Sequence, residues 1–192
     1  MRKRTVLLLV FVLFVSVDLL APNLSDKVVE QQFWSHQRAQ SKKRVEKKRA
    51  KELSRFLHAI GHSESGNNPK AYNSYGYIGK YQFGYVVREA CGYGDVKFME
   101  FKKNPSIWSE EDQELAMIKL LSLNERTLRG VIREYDGKFV KGKRITKSGI
   151  LAAAHLAGAG GVKRYFRYGF NPKDAYGTGL EDYLFKFSGF NI

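Results

Sequence analysis

The chain has 192 residues, enough for one domain with a sizeable core and a tail, and its 11 Tyr, 13 Phe and 43% hydrophobic residues favour a folded globular part. Its single cysteine, Cys91, excludes an intrachain disulfide or a multi-cysteine metal site and reads as a small buried residue. A formal net charge of +14 suggests a polyanionic partner, but half of it lies in one stretch: Arg38 to Arg55 holds nine Lys or Arg and two acids, net +7.

In chain order, Arg2, Lys3 and Arg4 precede an almost unbroken apolar run from Thr5 to Val17. Its length suits the core of a signal peptide and is short for a spanning helix, although counting on to Ala21 reaches a marginal span. Residues 1–21 are therefore expected to be a signal peptide or an N-terminal anchor in the inner membrane, which places the protein in the periplasm or outside the cell. Residues 22–44 read as a polar, basic linker or stalk, with only Val28, Val29, Phe33 and Trp34 to pack. Lys42 to Ile60 has a helical composition; Leu53, Phe56, Leu57 and Ile60 share one face and Gly61 is the stop signal. Ser65 to Gly94, rich in Gly, Asn and Tyr without a helical period, reads as loops and short strands. Ser109 opens a helix with Glu110, Glu111 and Asp112 in its first turn, and Leu115, Ile118 and Leu121 or Leu123 are expected to face inward. Leu128 to Tyr135 predicts a further helix, Phe139 to Thr146 a short hairpin around Gly142, and Ser148 to Ala157 a buried helix ended by Gly158, Gly160 and Gly161. Val162 to Tyr168 and Leu180 to Phe187 finish a domain over 45–192. The expected fold class is mostly α, with a small loop or β-hairpin element in a cleft region after the first core helix.

Several familiar chemistries do not fit. His62-Ser63-Glu64 has no Cys-x-x-Cys half to make a zinc-deaminase site, and no His-Glu-x-x-His occurs. Gly61 to Ser65 lacks the last glycine of a nucleophile elbow, and Gly158-Ala159-Gly160 follows a helix instead of a strand. Glu64 remains. It follows an amphipathic helix whose apolar face must be buried, and precedes Tyr72, Tyr75, Gly76, Tyr77, Gly79, Tyr81, Gln82 and Phe83. A carboxyl held against apolar walls has a raised pKa and becomes a proton donor near neutral pH. Tyrosine rings suit the faces of sugars, and glycines let backbone approach a ligand closely. The bland alternative is a solvated Glu beside an ordinary tyrosine-rich loop.

The run Glu64-Ser65-Gly66-Asn67-Asn68-Pro69-Lys70-Ala71-Tyr72-Asn73-Ser74-Tyr75-Gly76-Tyr77-Ile78-Gly79-Lys80-Tyr81-Gln82-Phe83 resembles the motif of the soluble lytic transglycosylases and goose-type lysozymes. Ala153-Ala154-His155-Leu156-Ala157-Gly158-Ala159-Gly160-Gly161-Val162 is similar to that family's Ala-Tyr-Asn-Ala-Gly stretch. The resemblance implies a lysozyme-like, two-lobed helical domain that cleaves the β-1,4 bond between N-acetylmuramic acid and N-acetylglucosamine in peptidoglycan. Glu64 would be the catalytic acid and base, with Ser65, Gln82 and His155 at the substrate; Tyr77 and Tyr81 stand where the family varies and are expected at the substrate as rings of the tyrosine-rich loop. No metal or cofactor is implied. His155 stands where the family has a tyrosine bonded to the catalytic Glu: it either orients Glu64 or, charged, depresses its pKa.

The other acids after Glu64 lie away from its motif. Glu89 and Asp95 come first, Asp112 and Glu114 belong to another helix, and Asp136 and Asp174 are expected in surface turns. A lone carboxyl suits a route in which the substrate supplies acetamido and 6-hydroxyl, giving 1,6-anhydromuramic ends; a hydrolytic lysozyme would need a water-positioning acid, Asp95 first. A non-catalytic peptidoglycan-binding protein is a further alternative. The basic run suits an anionic membrane surface or wall polymer. A nucleic-acid partner is not expected, since no recognition motif accompanies the charge.

Overall fold

The structure is a computed structural model that describes residues 24–192, so the segment 1–21 read as signal or anchor lies outside the described residues. Seven α-helices, one 3-10 turn (Pro105–Ile107) and one two-stranded sheet occur among the described residues. The helices are α1 (Leu24–Ser65), α2 (Tyr85–Ala90), α3 (Phe98–Lys103), α4 (Glu110–Thr127), α5 (Arg129–Tyr135), α6 (Lys147–Tyr168) and α7 (Leu180–Lys186). The chain divides into two compact units, up to Lys48 and from Arg49 onward. No helix of the described residues is long and apolar enough to cross a membrane.

In the first unit every residue from Lys27 to Lys48 is exposed. The stretch expected as a linker, 22–44, is helical from Leu24. Its Gln, Glu, Lys, Arg and Ala residues favour helix without needing an apolar face, so a test for hydrophobic periodicity passes over it. Phe33 and Trp34 meet edge to face at 5.3 Å, and Trp34 Nε1 donates to Glu30 Oε1 at 3.3 Å.

The second unit is organised on the rest of α1. Phe56, Leu57 and Ile60 are buried in the core, as their spacing predicts, with Leu53 half-buried beside them. Gly61 does not stop the helix, which runs on to Ser65 and ends at Gly66 with φ +66°. A Cβ on Gly61 would stand 2.6 Å from Asn67 Oδ1 and 3.0 Å from Lys80 Cγ. The glycine lets the following loop lie against the helix.

From Ser65 to Gly94 the expected short strands reduce to isolated bridges, Tyr72 with Ile78 and Ile78 with Phe83. This stretch also contains α2, which the glycine-rich composition hid. Its Arg88, 2% exposed, donates Nη1 to Phe83 O (2.6 Å) and Nε to Val96 O (3.1 Å), gathering two loops around one guanidinium.

Ser109 caps α4 as expected, its Oγ accepting from Asp112 N at 3.0 Å. The inward face keeps Leu121 but otherwise differs from the expected one. Leu115 and Ile118 are exposed, while Gln113, Ala116, Met117, Leu120, Leu121 and Asn124 are buried. Two polar residues on the buried face shifted the apparent hydrophobic stripe. The hairpin pairs Phe139 with Arg144 and Val140 with Lys143 across a two-residue turn, Lys141 (φ +51°) and Gly142 (φ +73°), both left-handed as such turns require.

Helix α6 is buried from Ser148 to Ala154, and Gly158, with non-helical φ +69° and ψ 161°, breaks it into two helical segments, so the first ends at Gly158 as expected. Helix α7 lies so close to α6 that a Cβ on Gly149 would fall 2.1 Å from Leu184 O. Ser148 Oγ donates to Phe187 O at 2.7 Å in the same contact. This approach sets the position of α7, which carries Tyr183.

Candidate active site

Glu64 sits in the last turn of α1, not beyond it, with its side chain 15% exposed. Tyr183, from α7, donates its hydroxyl to Glu64 Oε1 at 2.5 Å. His155, from α6, places Nε2 3.4 Å from the same oxygen, within ion-pair reach but long for a hydrogen bond. Both contacts fall on Oε1, and none of the described residues donates to Oε2. The carboxyl is gripped by one oxygen and presents the other.

Burial raises the pKa of Glu64, but the His155 contact, the charge on a protonated His155 and the Tyr183 hydrogen bond together outweigh it; Asp174 pushes weakly upward. The net direction is down. This corrects the expectation of a raised pKa: apolar walls are present, but two donors face the carboxylate. Burial first, then the charge of Glu64 and the hydrogen bond to it, hold the Tyr183 phenol well above its ordinary range, so it stays a donor. His155 Nδ1 is buried without a partner, and a proton there would be an unpaired donor. The ring meets Phe83 edge to face at 5.8 Å.

Ser65 has its hydroxyl engaged by backbone, donating to Lys80 O at 2.7 Å and accepting from Asn68 N at 3.0 Å. It therefore ties the tyrosine-rich loop to the end of α1. Gln82, at φ +48°, donates Nε2 to Gly79 O (3.0 Å) and accepts from Asn73 Nδ2 (3.1 Å), bracing the same loop. Tyr77 is exposed at the loop surface. Tyr81 is corrected: it is 0% exposed, points its hydroxyl at Glu114 Oε1 (3.3 Å) and packs on Phe83, so it serves the core and cannot touch a ligand.

The loop is anchored to α4 by Lys80 and Gln113. Lys80 Nζ lies 2.9 Å from Glu110 Oε1 and 2.7 Å from Glu114 Oε1. Burial lowers its pKa, but the two carboxylates more than offset that and raise it. Gln113 accepts from Lys80 N at 2.6 Å and donates to Pro69 O and Trp108 O. Among the described residues no cluster of three His, Cys, Asp or Glu is placed to hold a metal.

None of the protein-family models, curated proteins or solved structures compared with the chain matches it.

Sequence reasoning missed Tyr183 and passed over Asp174. Leu180, Tyr183, Leu184 and Phe187 stand at i, i+3, i+4 and i+7, a buried face carrying one hydroxyl that must find a partner. That signal was readable, although which partner it found was not. The charge of Asp174 acts only weakly, and upward, on the Glu64 pKa.

Proposed function

We propose that the chain is a peptidoglycan-cleaving glycosidase of the lytic transglycosylase kind, with a lysozyme-like, two-lobed helical domain and Glu64 as acid and base, acting outside the cytoplasm. One observation carries this reading. A single partly buried carboxyl, beside a glycine- and tyrosine-rich loop, has Oε1 held by Tyr183 while Oε2 is left for a ligand. A protonated Oε2 would donate to the glycosidic oxygen between N-acetylmuramic acid and N-acetylglucosamine. The substrate's acetamido group would stabilise the sugar cation, and the Glu64 carboxylate would then take the proton of the 6-hydroxyl as that oxygen closes onto the anomeric carbon. Tyr183 fits the second half: its phenol stabilises the carboxylate that the first step creates.

Glu64→Gln is expected to lower turnover on purified sacculi at least about 10²-fold while the fold survives, because the exchange is nearly isosteric. More than half of wild-type turnover would remove Glu64 from the mechanism. Mass spectrometry of the released muropeptides reads the product, the anhydro form being lighter by one water.

A hydrolytic lysozyme on the same site would need a water-positioning acid, for which Asp174, in the loop that leads into the helix of Tyr183, is the candidate. Its Oδ1 accepts from Tyr176 N (2.8 Å) and Thr178 N (2.9 Å), which fixes the carboxylate in its loop. Reducing ends in the digest, abolished by Asp174→Asn, would make Asp174 the water-positioning acid and the enzyme a hydrolase.

A further inference from the structure

Two stretches far apart in the chain build the same loop. In Asn73-Ser74-Tyr75-Gly76-Tyr77, the Asn73 Oδ1 accepts from Tyr75 N (2.9 Å) and Tyr77 N (3.2 Å). Asn73 N donates to Tyr77 O (3.1 Å) and Gly76 N to Asn73 O (3.3 Å). In Asp174-Ala175-Tyr176-Gly177-Thr178, the Asp174 Oδ1 accepts from Tyr176 N (2.8 Å) and Thr178 N (2.9 Å). Asp174 N donates to Thr178 O (2.9 Å) and Gly177 N to Asp174 O (3.1 Å). Gly76 and Gly177 take the left-handed φ that each turn needs, +83° and +88°. An antiparallel bridge closes each base, Tyr72 with Ile78 and Lys173 with Gly179. Each loop offers one tyrosine at its tip, 60% exposed for Tyr75 and 71% for Tyr176, and the two rings meet edge to face at 5.8 Å.

Each loop connects along the chain to a residue beside or bonded to Glu64. The first is tied to the neighbouring residue by the Ser65 Oγ bond to Lys80 O, and the second runs directly into α7, whose Tyr183 bonds Glu64. The contacts form a closed circuit: from Ser65 to Lys80, along the loop to Tyr75, across to Tyr176, and on through Tyr183 to Glu64. Two of its closures are short, half-buried hydrogen bonds. The third is one contact between exposed rings, which is where the circuit opens at least cost.

We propose that Tyr75 and Tyr176 form a latch across the Glu64 site, and that it opens onto a sugar ring of the glycan strand, which the two tyrosines then hold. The latch rests on the reading of Glu64 as a glycan-cleaving acid. The tip chemistry fits a sugar: two uncharged aromatic faces cover the apolar C–H face of a pyranose, and two phenols reach its hydroxyls. The side-chain and backbone hydrogen bonds inside each loop keep the tips shaped, so opening moves a loop as a body at its base. Tyr75 also lines, with Tyr77 and Tyr85, a concavity of about 510 Å³ whose lining includes neither Tyr176 nor Glu64.

The test uses the full chain on purified sacculi. Tyr75→Ala with Tyr176→Ala is expected to raise KM about tenfold and leave kcat within about twofold, since stacking that is equal in ground and transition states affects binding alone. Tyr75→Phe with Tyr176→Phe keeps the rings and loses only the phenol contacts, so it is expected to raise KM less than the alanine pair does. Tyr75→Cys with Tyr176→Cys, joined by a short thiol cross-linker that a reductant cleaves, is expected to be inactive when closed and active when released. An alanine pair with unchanged KM, or a cross-linked form with more than half of wild-type activity, overturns the latch and leaves the reading of Glu64 standing. A wild-type chain that cuts no sacculus overturns both.

Discussion

At Glu64 burial disfavours the charge, while Tyr183 and His155 favour it from the same side, and the second influence wins. The general acid proposed for Glu64 must be protonated to act, so a lowered pKa is expected to place the alkaline limb of a pH–kcat/KM profile below the ordinary glutamate range. His155→Tyr removes the imidazole contact and leaves burial less opposed, so Glu64's pKa is expected to rise and that limb to move to higher pH. A limb that stays in place in the variant would show that His155 does not act on the carboxyl. The same shift has a stability side. Because the folded pKa lies below the unfolded one, the contacts of ionised Glu64 stabilise the fold above the ordinary glutamate pKa and are lost as pH falls through the folded value. The difference in melting temperature between wild type and Glu64→Gln should therefore shrink on acidification. Glu64 itself was legible because an acid at the end of a buried helix, before a glycine- and tyrosine-rich run, is an unusual juxtaposition. Tyr183 was not, because its partner lies across the chain and only packing brings the two together.

Helix α7 reaches Glu64 because α6 lets it approach, and Gly149 is where the two backbones come closest. Gly149→Ala would push a methyl group onto Leu184 O, a backbone atom that cannot swing aside. The expected loss is about 1–3 kcal/mol of stability, read by denaturant midpoint, from forced backbone shifts in a packed core. The displaced Tyr183 should also cost turnover at temperatures where the variant is still folded. Full activity in a destabilised variant would mean that the exact seat of α7 does not matter to the site. Periodicity found Phe56, Leu57 and Ile60 because the buried face of α1 is wholly apolar there. It misphased α4 for the opposite reason: Gln113 is fully buried because its amide binds three backbone groups, a satisfaction no hydropathy pattern records.

For the whole molecule, the exposed part of α1 carries most of the basic stretch, Arg38 to Arg55, with Val28, Val29, Phe33 and Trp34 also exposed. Such a helix is expected to bind anionic vesicles or wall polymer through charge, and to release them as salt rises past the point where the Debye length falls below about 10 Å. Co-sedimentation of the fragment from Pro22 onward, at low and high salt, checks this; equal binding at both would discard the electrostatic account. The helical state of the part before Lys42 was hidden because a helix with no buried side has no stripe to find. Cys91 has a consequence of another kind. It is the chain's sole thiol, 2% exposed and raised in pKa by burial, so it is inert while the domain is closed. An alkylating reagent can reach it only when that part of the fold opens, which makes the rate of its modification a built-in clock for native-state opening.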